Sequence, residues 1–164
     1  CGVGEDLPFP ADRFDLVFSN EVIEHVADDR QTAHEMVRVT KPGGLVVIFA
    51  PNRLYPFETH GVYLGKRYVF GNIPLVNWLP NVLRNRLVPH ARAYTARGIE
   101  RVATAGGLRI VDHGSVYPGF DNIEARSRAL ASVVRGVCYW AEGTPLARFG
   151  LSHLVVLRRD EVSA

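Results

Sequence analysis

Polar residues stand where chemistry would need them, directly after apolar runs. Ser19-Asn20-Glu21 follows Phe14–Phe18, and Pro51-Asn52-Arg53 follows Leu45–Ala50. In open parallel sheets, ligands bind outside the carboxyl ends of the strands, so these two groups mark the rim of a crevice. Gly4-Glu5-Asp6-Leu7 leads into the first run and can fold over the same edge. His25 comes just after the rim, where an imidazole suits proton removal from a hydroxyl or amine near neutral pH. His60, in Pro-Phe-Glu-Thr-His-Gly, is the second candidate to face a substrate. Against both stands the plainer assignment of a histidine bonded to nearby backbone. His34, His113 and His153 read as structural or exposed, and His90 as either. The six histidines and two cysteines show no paired spacing for zinc, and neither HExxH nor CxxC occurs, so no metal is expected. Ser115 and Ser152 lack the GxSxG frame of an elbow hydrolase.

The elements that must position these residues follow from pattern. Phe14–Phe18 is a short apolar, partly β-branched strand. Asp28 and Asp29 are N-cap candidates for a helix whose buried stripe is Thr32, Met36 and Val39. Thr40–Gly44 (TKPGG) stops that helix with a proline and a glycine turn. Leu45–Ala50 is apolar on both faces, as in a central parallel strand, and strand, helix and strand have the length of a βαβ unit. Residues 53–94 break the rhythm with prolines and aromatics. They are expected to form a cap over the crevice, with short helices around 76–87 and no regular sheet. Thr95 then caps a helix with Ile99, Val102 and Ala103 on one face. A strand from Leu108 to Val111, reaching towards Tyr117, follows. A helix over 123–140 should bury Leu130, Val133, Val134 and Val137. Leu151–Leu157 is the last strand.

Bulk properties narrow the class. A chain of 164 residues, 47% hydrophobic and 22% charged, suits one globular domain. The longest apolar run falls far short of a membrane span, and with two cysteines a reducing cytoplasm is the default location. The net charge of +2 hides an acidic start, yet the basic residues are scattered and form no aromatic-interleaved stripe for nucleic acid.

In order and spacing, GEDLPFPADRFDLVFSNEVIEHV and HEMVRVTKPGGLVVIFAPN resemble the post-core half of class I S-adenosylmethionine-dependent methyltransferases of the LPF…FD…EHV…KPGG kind (methyltransferase type 11). YTARGIERVATAGGLRIV and TPLARFGLSHLVVLRR resemble that family's final helix and antiparallel hairpin. The resemblance implies an α/β fold: a partial Rossmann-like sheet of parallel strands plus a C-terminal antiparallel hairpin, with helices and an aromatic cap insertion. It implies S-adenosyl-L-methionine as cofactor, with Gly4, Glu5, Asp6 and Leu7 lining the adenine and Ser19, Asn20 and Glu21 under the methionine part. His25 and His60 would face the methyl acceptor. Val3 stands where relatives often carry an aspartate, and Thr40 replaces the usual leucine before KPGG.

No strand and glycine loop precede Cys1, so the sequence reads as one truncated domain, 1–164, forming one wall of a cofactor pocket. The expectation is the C-terminal part of a methyltransferase acting on a small-molecule or lipid-like acceptor, inactive and with negligible cofactor affinity by itself. An uncovered sheet edge should promote self-association. A non-catalytic methyltransferase-like interaction module is the alternative. A dehydrogenase would need a hydride-transfer site that the sequence does not display.

Overall fold

The computed structural model describes residues 2–119 and 124–161. Its centre is a four-stranded sheet in the order β1 (Phe14–Asn20), β2 (Thr40–Pro51), β8 (Ser152–Arg158), β7 (Arg109–Val116). Strands β1 and β2 run parallel, and β8 is antiparallel to both β2 and β7. This is the expected combination of a parallel pair with a C-terminal antiparallel hairpin.

Helix α1 (Asp29–Val39) begins where Asp28 accepts hydrogen bonds from the Arg30 and Gln31 amides, each at 3.0 Å. It ends where the Thr40 hydroxyl donates to the Met36 carbonyl at 2.6 Å. Its inner stripe of Thr32, Ala33, Met36 and Val39 is buried. Helix α3 (Ala96–Ala103) is capped by the Thr95 hydroxyl, which accepts from the Gly98 amide, and it buries Ile99, Val102 and Ala103. Both helices lie on one face of the sheet. There they form a single core with Val46, Ile48 and Ala50 of β2 and Val155 and Leu157 of β8. Alternate residues of β2 are only half-buried, because no described helix covers the second face so fully. Strand β1 is at the sheet edge, with Leu16 and Phe18 more than half exposed.

TKPGG does not precede β2 but sits within its first residues. Thr40 pairs with Phe14, and the register then jumps so that Leu45 pairs with Leu16. Gly43 has φ +77°, and a Cβ on Gly44 would come within 2.8 Å of Thr40 Cγ2 and 3.0 Å of the Asp15 carbonyl. Only glycines let this turn lie so close to β1.

The cap corrects one expectation. It contains two small antiparallel ribbons, β3 (Phe57–Glu58) with β6 (Ile73–Pro74) and β4 (Val62–Leu64) with β5 (Arg67–Val69). A 3₁₀ turn (Val76–Trp78) and helix α2 (Asn81–Leu87) follow. Val62, Val76, Val88 and Ala91 give the cap its own core. Strands of two or three residues are too short to print a period in sequence.

A second correction concerns α4 (Arg128–Glu142), capped by Ser127. Its buried positions are Ala131 and Ala141, while Leu130, Val133 and Val137 are more than half exposed and Val134 is half-buried. The start of the expected helix, residue 123, lies outside the described residues. Hydrophobic spacing told which residues share a face, but not which face is covered. No helix among the described residues is long and apolar enough to cross a membrane.

Candidate functional site

Because β1 and β2 are parallel, with Asn20 opposite Phe49, Ser19–Glu21 and Pro51–Asn52 lie side by side at one end of the sheet. Ser19 is buried, and its hydroxyl has no hydrogen-bond partner among the described residues. Asn20 is exposed. Glu21 takes a left-handed φ of +51°, and its carboxylate accepts from the Ser152 hydroxyl at 2.7 Å. Burial pushes the Glu21 carboxyl above its ordinary value, against the Ser152 hydrogen bond. Asn52 is buried for a structural purpose: its side-chain amide donates to the Arg148 and Gly150 carbonyls at 2.7 and 2.8 Å.

The turn at 4–7 is largely engaged by the protein itself. A Cβ on Gly4 would meet Thr32 and Val26 at 3.0–3.1 Å. The Glu5 carboxylate accepts from the Ala27 and Asp28 amides at 2.6 and 3.0 Å. The Leu7 amide donates to Glu35 at 2.8 Å and the Asp6 amide to the Val3 carbonyl at 3.2 Å. The Asp6 side chain is exposed, in a shallow concavity with Val3 and Pro8. Glu35 is itself clamped by Arg38, at 2.6 and 2.7 Å, and is held down to about 2 chiefly by that partner.

After β1 the chain turns back under the cap, and this places Glu24 and His25. The Arg92 guanidinium donates to the Val26 and Ala27 carbonyls, and the Tyr94 hydroxyl to the Ile23 carbonyl. From the cap side comes His60, just beyond β3. Glu24 Oε1 lies 3.5 Å from His25 Nε2 and 3.7 Å from His60 Nε2. The Glu24 side chain is fully buried, and neither oxygen has a hydrogen-bond partner among the described residues. The two imidazoles meet edge to face, with centroids 5.2 Å apart.

Each ring is fixed through its other nitrogen. His25 Nδ1 bonds the His90 carbonyl at 2.9 Å, and His60 Nδ1 bonds Glu58 Oε1 at 3.0 Å. Glu58 in turn accepts from Arg84 at 2.7 Å. Burial pushes the Glu58 carboxyl up, but the His60 hydrogen bonds and then the Arg84 charge outweigh it and leave it lowered. Glu24, and after it Glu58, raise His60 to about 9. His60 is therefore a cation at neutral pH unless another cation takes the proton's place.

A cavity of about 430 Å³ opens on this cluster, lined among others by Glu24, His25, Asn85, His90 and Arg92. The structure thus brings His25 and His60 together. Glu24, Glu58 and Arg84 were missed by sequence reasoning. The signal for Glu24 was its place beside His25 at the strand end; for Glu58 and Arg84 there was none, because their partners are distant in the chain. His113 and His153 lie elsewhere, hydrogen-bonded to each other at 3.2 Å and, at the outer ends, to Glu100 and the Tyr94 carbonyl.

Part of the chain is similar to known methyltransferases, and the fold recurs in solved structures of such enzymes. Residues 1–48 match the family model described as a methyltransferase domain. A methyltransferase of Mycobacterium leprae is 47% identical over 66 residues, which are 38% of this chain and 24% of that protein. A ubiquinone biosynthesis O-methyltransferase of Rhizobium leguminosarum is 26% identical over 113 residues, 69% of this chain and 40% of that protein. The chain therefore spans less than half the length of these curated relatives. In the solved structure of an S-adenosylmethionine-dependent methyltransferase from Mesorhizobium loti, the fold recurs with a TM-score of 0.56 at 17% identity. That likeness covers 96% of this chain and 68% of the other.

Proposed function

We propose that this chain supplies the acceptor-facing wall of an S-adenosylmethionine-dependent methyltransferase, acting on a hydroxyl of a small or lipid-like acceptor. The observation that carries the proposal is the Glu24–His25–His60 cluster, close enough to Glu21 at the end of β1 to act on its carboxylate, with the Ser19 hydroxyl of the same strand end unpartnered among the described residues. Ser19 suits the polar amino-acid end of the cofactor, and the Glu21 carboxylate suits a cationic group nearby. The bound cofactor would supply an activated methyl group. What remains for the protein is to orient the acceptor, exclude water and take one proton. His25 Nε2 lines the cavity and is placed to accept that proton, with the His90 carbonyl behind Nδ1 and Glu24 beside Nε2 to stabilise the imidazolium. His60 faces the same carboxylate from the cap side. An oxygen acceptor is supported by the O-methyltransferase name of the Rhizobium relative.

The test is transfer of a labelled methyl group from S-adenosylmethionine to a panel of phenolic and aliphatic hydroxyl compounds, using the protein as its own cell makes it. Transfer to at least one, lost on His25→Ala, is expected; no transfer to any oxygen acceptor contradicts the proposal. A second reading, a non-catalytic module that pairs with another chain, draws on the exposed edge of β1 with Leu16 and Phe18. Full binding of a partner with no transfer in any assay would favour it.

A further inference from the structure

The same cluster offers a second chemistry, in which His25 Nε2 binds an ion in place of taking a proton. A fully buried carboxylate costs several kcal/mol unless a cation compensates it, and Glu24 is fully buried with neither oxygen hydrogen-bonded among the described residues. Facing it are two imidazoles whose Nδ1 atoms are already committed. A backbone carbonyl can only accept, so His25 Nδ1 carries its proton towards the His90 oxygen. Glu58, ion-paired with Arg84, likewise accepts from His60 Nδ1. In each neutral ring the lone pair is thereby left on Nε2, and both Nε2 atoms converge on Glu24 Oε1. A carboxylate or carbonyl behind each ring nitrogen is the support that metal-ligating histidines receive.

The spacing agrees. Metal bonds of about 2.1 Å at a tetrahedral angle place ligand atoms about 3.4 Å apart. Here Glu24 Oε1 is 3.5 and 3.7 Å from the two nitrogens, and all three ligand atoms fall within 4.8 Å of one another. We propose that Glu24, His25 and His60 bind a divalent first-row transition ion, of the zinc, cobalt(II) or manganese(II) type.

Two imidazoles and one carboxylate favour such ions over magnesium and calcium, which take oxygen ligands. Three protein ligands leave at least one coordination position, and the cavity beside His25 and Arg92 is where it opens. An open position is the mark of a site that meets substrate rather than one that only staples the fold. The ion site rests on these side chains alone. A role for it in activating the acceptor oxygen rests on the methyl-transfer reading.

Cobalt(II) titration into the chelator-treated chain, followed by visible absorption, tests the site without any turnover. A saturable, low-symmetry cobalt spectrum is expected, displaced by zinc. His25→Gln alters an exposed side chain and spares the fold. It should weaken cobalt binding by at least roughly 100-fold, with Glu24→Gln behaving alike; Glu58→Gln, which only orients a ligand, should cost roughly 10-fold. Circular dichroism on each variant separates lost binding from lost structure. A wild-type chain that gives no bound-cobalt spectrum, or cobalt affinity unchanged in His25→Gln, overturns the proposal. Cobalt binding with no methyl transfer leaves the ion site standing while the enzymatic reading fails. Methyl transfer by a chain that binds no cobalt does the reverse.

Discussion

Glu58 Oε2 and Arg84 Nη2 stand 2.7 Å apart, with both residues 1% exposed, and Glu58 in turn holds His60 Nδ1 at 3.0 Å. Arg84 also donates to Asn77 Oδ1 and to the Ala91 carbonyl, joining the cap's ribbon, turn and helix around one guanidinium. Removing one member of a buried pair strands the other's charge, typically at about 3–5 kcal/mol. Arg84→Met should therefore lower stability by about that amount in urea unfolding. Arg84→Met with Glu58→Gln should recover part of the loss. A loss in the double variant equal to the sum of the Arg84→Met and Glu58→Gln losses would show the pair to be uncoupled.

Acid should weaken the fold through Glu35. Arg38 holds this carboxyl to about 2, against an ordinary value of 4.5. Between those values the unfolded chain binds a proton that the folded chain does not. The stability Glu35 contributes is thus complete above about pH 4.5 and disappears as the pH falls towards 2. Denaturant unfolding across this range should show the decline, and Glu35→Gln should flatten it. A Glu35→Gln profile parallel to the wild type would refute the assignment.

Asp28 caps α1 through the Arg30 and Gln31 amides. Asp28→Ala should cost about 1 kcal/mol of stability in urea unfolding. Because the loop carrying Glu24 and His25 ends at this cap, the same variant should also broaden the His25 ring resonances in NMR. A change within error on both counts would contradict the link between cap and loop.

The unpaired edge of β1, with Leu16 and Phe18 exposed beside it, is a template for a second strand. Sedimentation should show concentration-dependent association of the purified chain with itself. The double change Leu16→Lys and Phe18→Lys should shift it towards monomer. A monomeric wild-type chain at high concentration would show that the edge is not sticky.

Much of the fold was legible because its signals are local. Asp28, the Thr32–Met36–Val39 stripe and TKPGG each announce themselves within a few residues, and Thr95 does so for α3. The α4 stripe of Leu130, Val133 and Val137 misled because amphipathicity names a face without naming its partner. His25 and His60 could be singled out by residue type and position. That they share one buried carboxylate was not legible, since the cap ribbons bringing His60 back over Glu24 are too short to read. Zinc motifs show in sequence as ligands at short spacing, whereas the third proposed ligand, His60, arrives from another part of the chain.

In the proposed methyl-transfer reading, the carboxyl end of β1 receives the cofactor. Two-dimensional NMR of the labelled chain, titrated with millimolar S-adenosylhomocysteine, tests it most directly and detects even weak binding. Shift changes centred on the Ser19, Asn20 and Glu21 amides and fading towards β7 are expected. Unmoved resonances at 19–21, or changes centred instead on the His113–His153 pair, would contradict it.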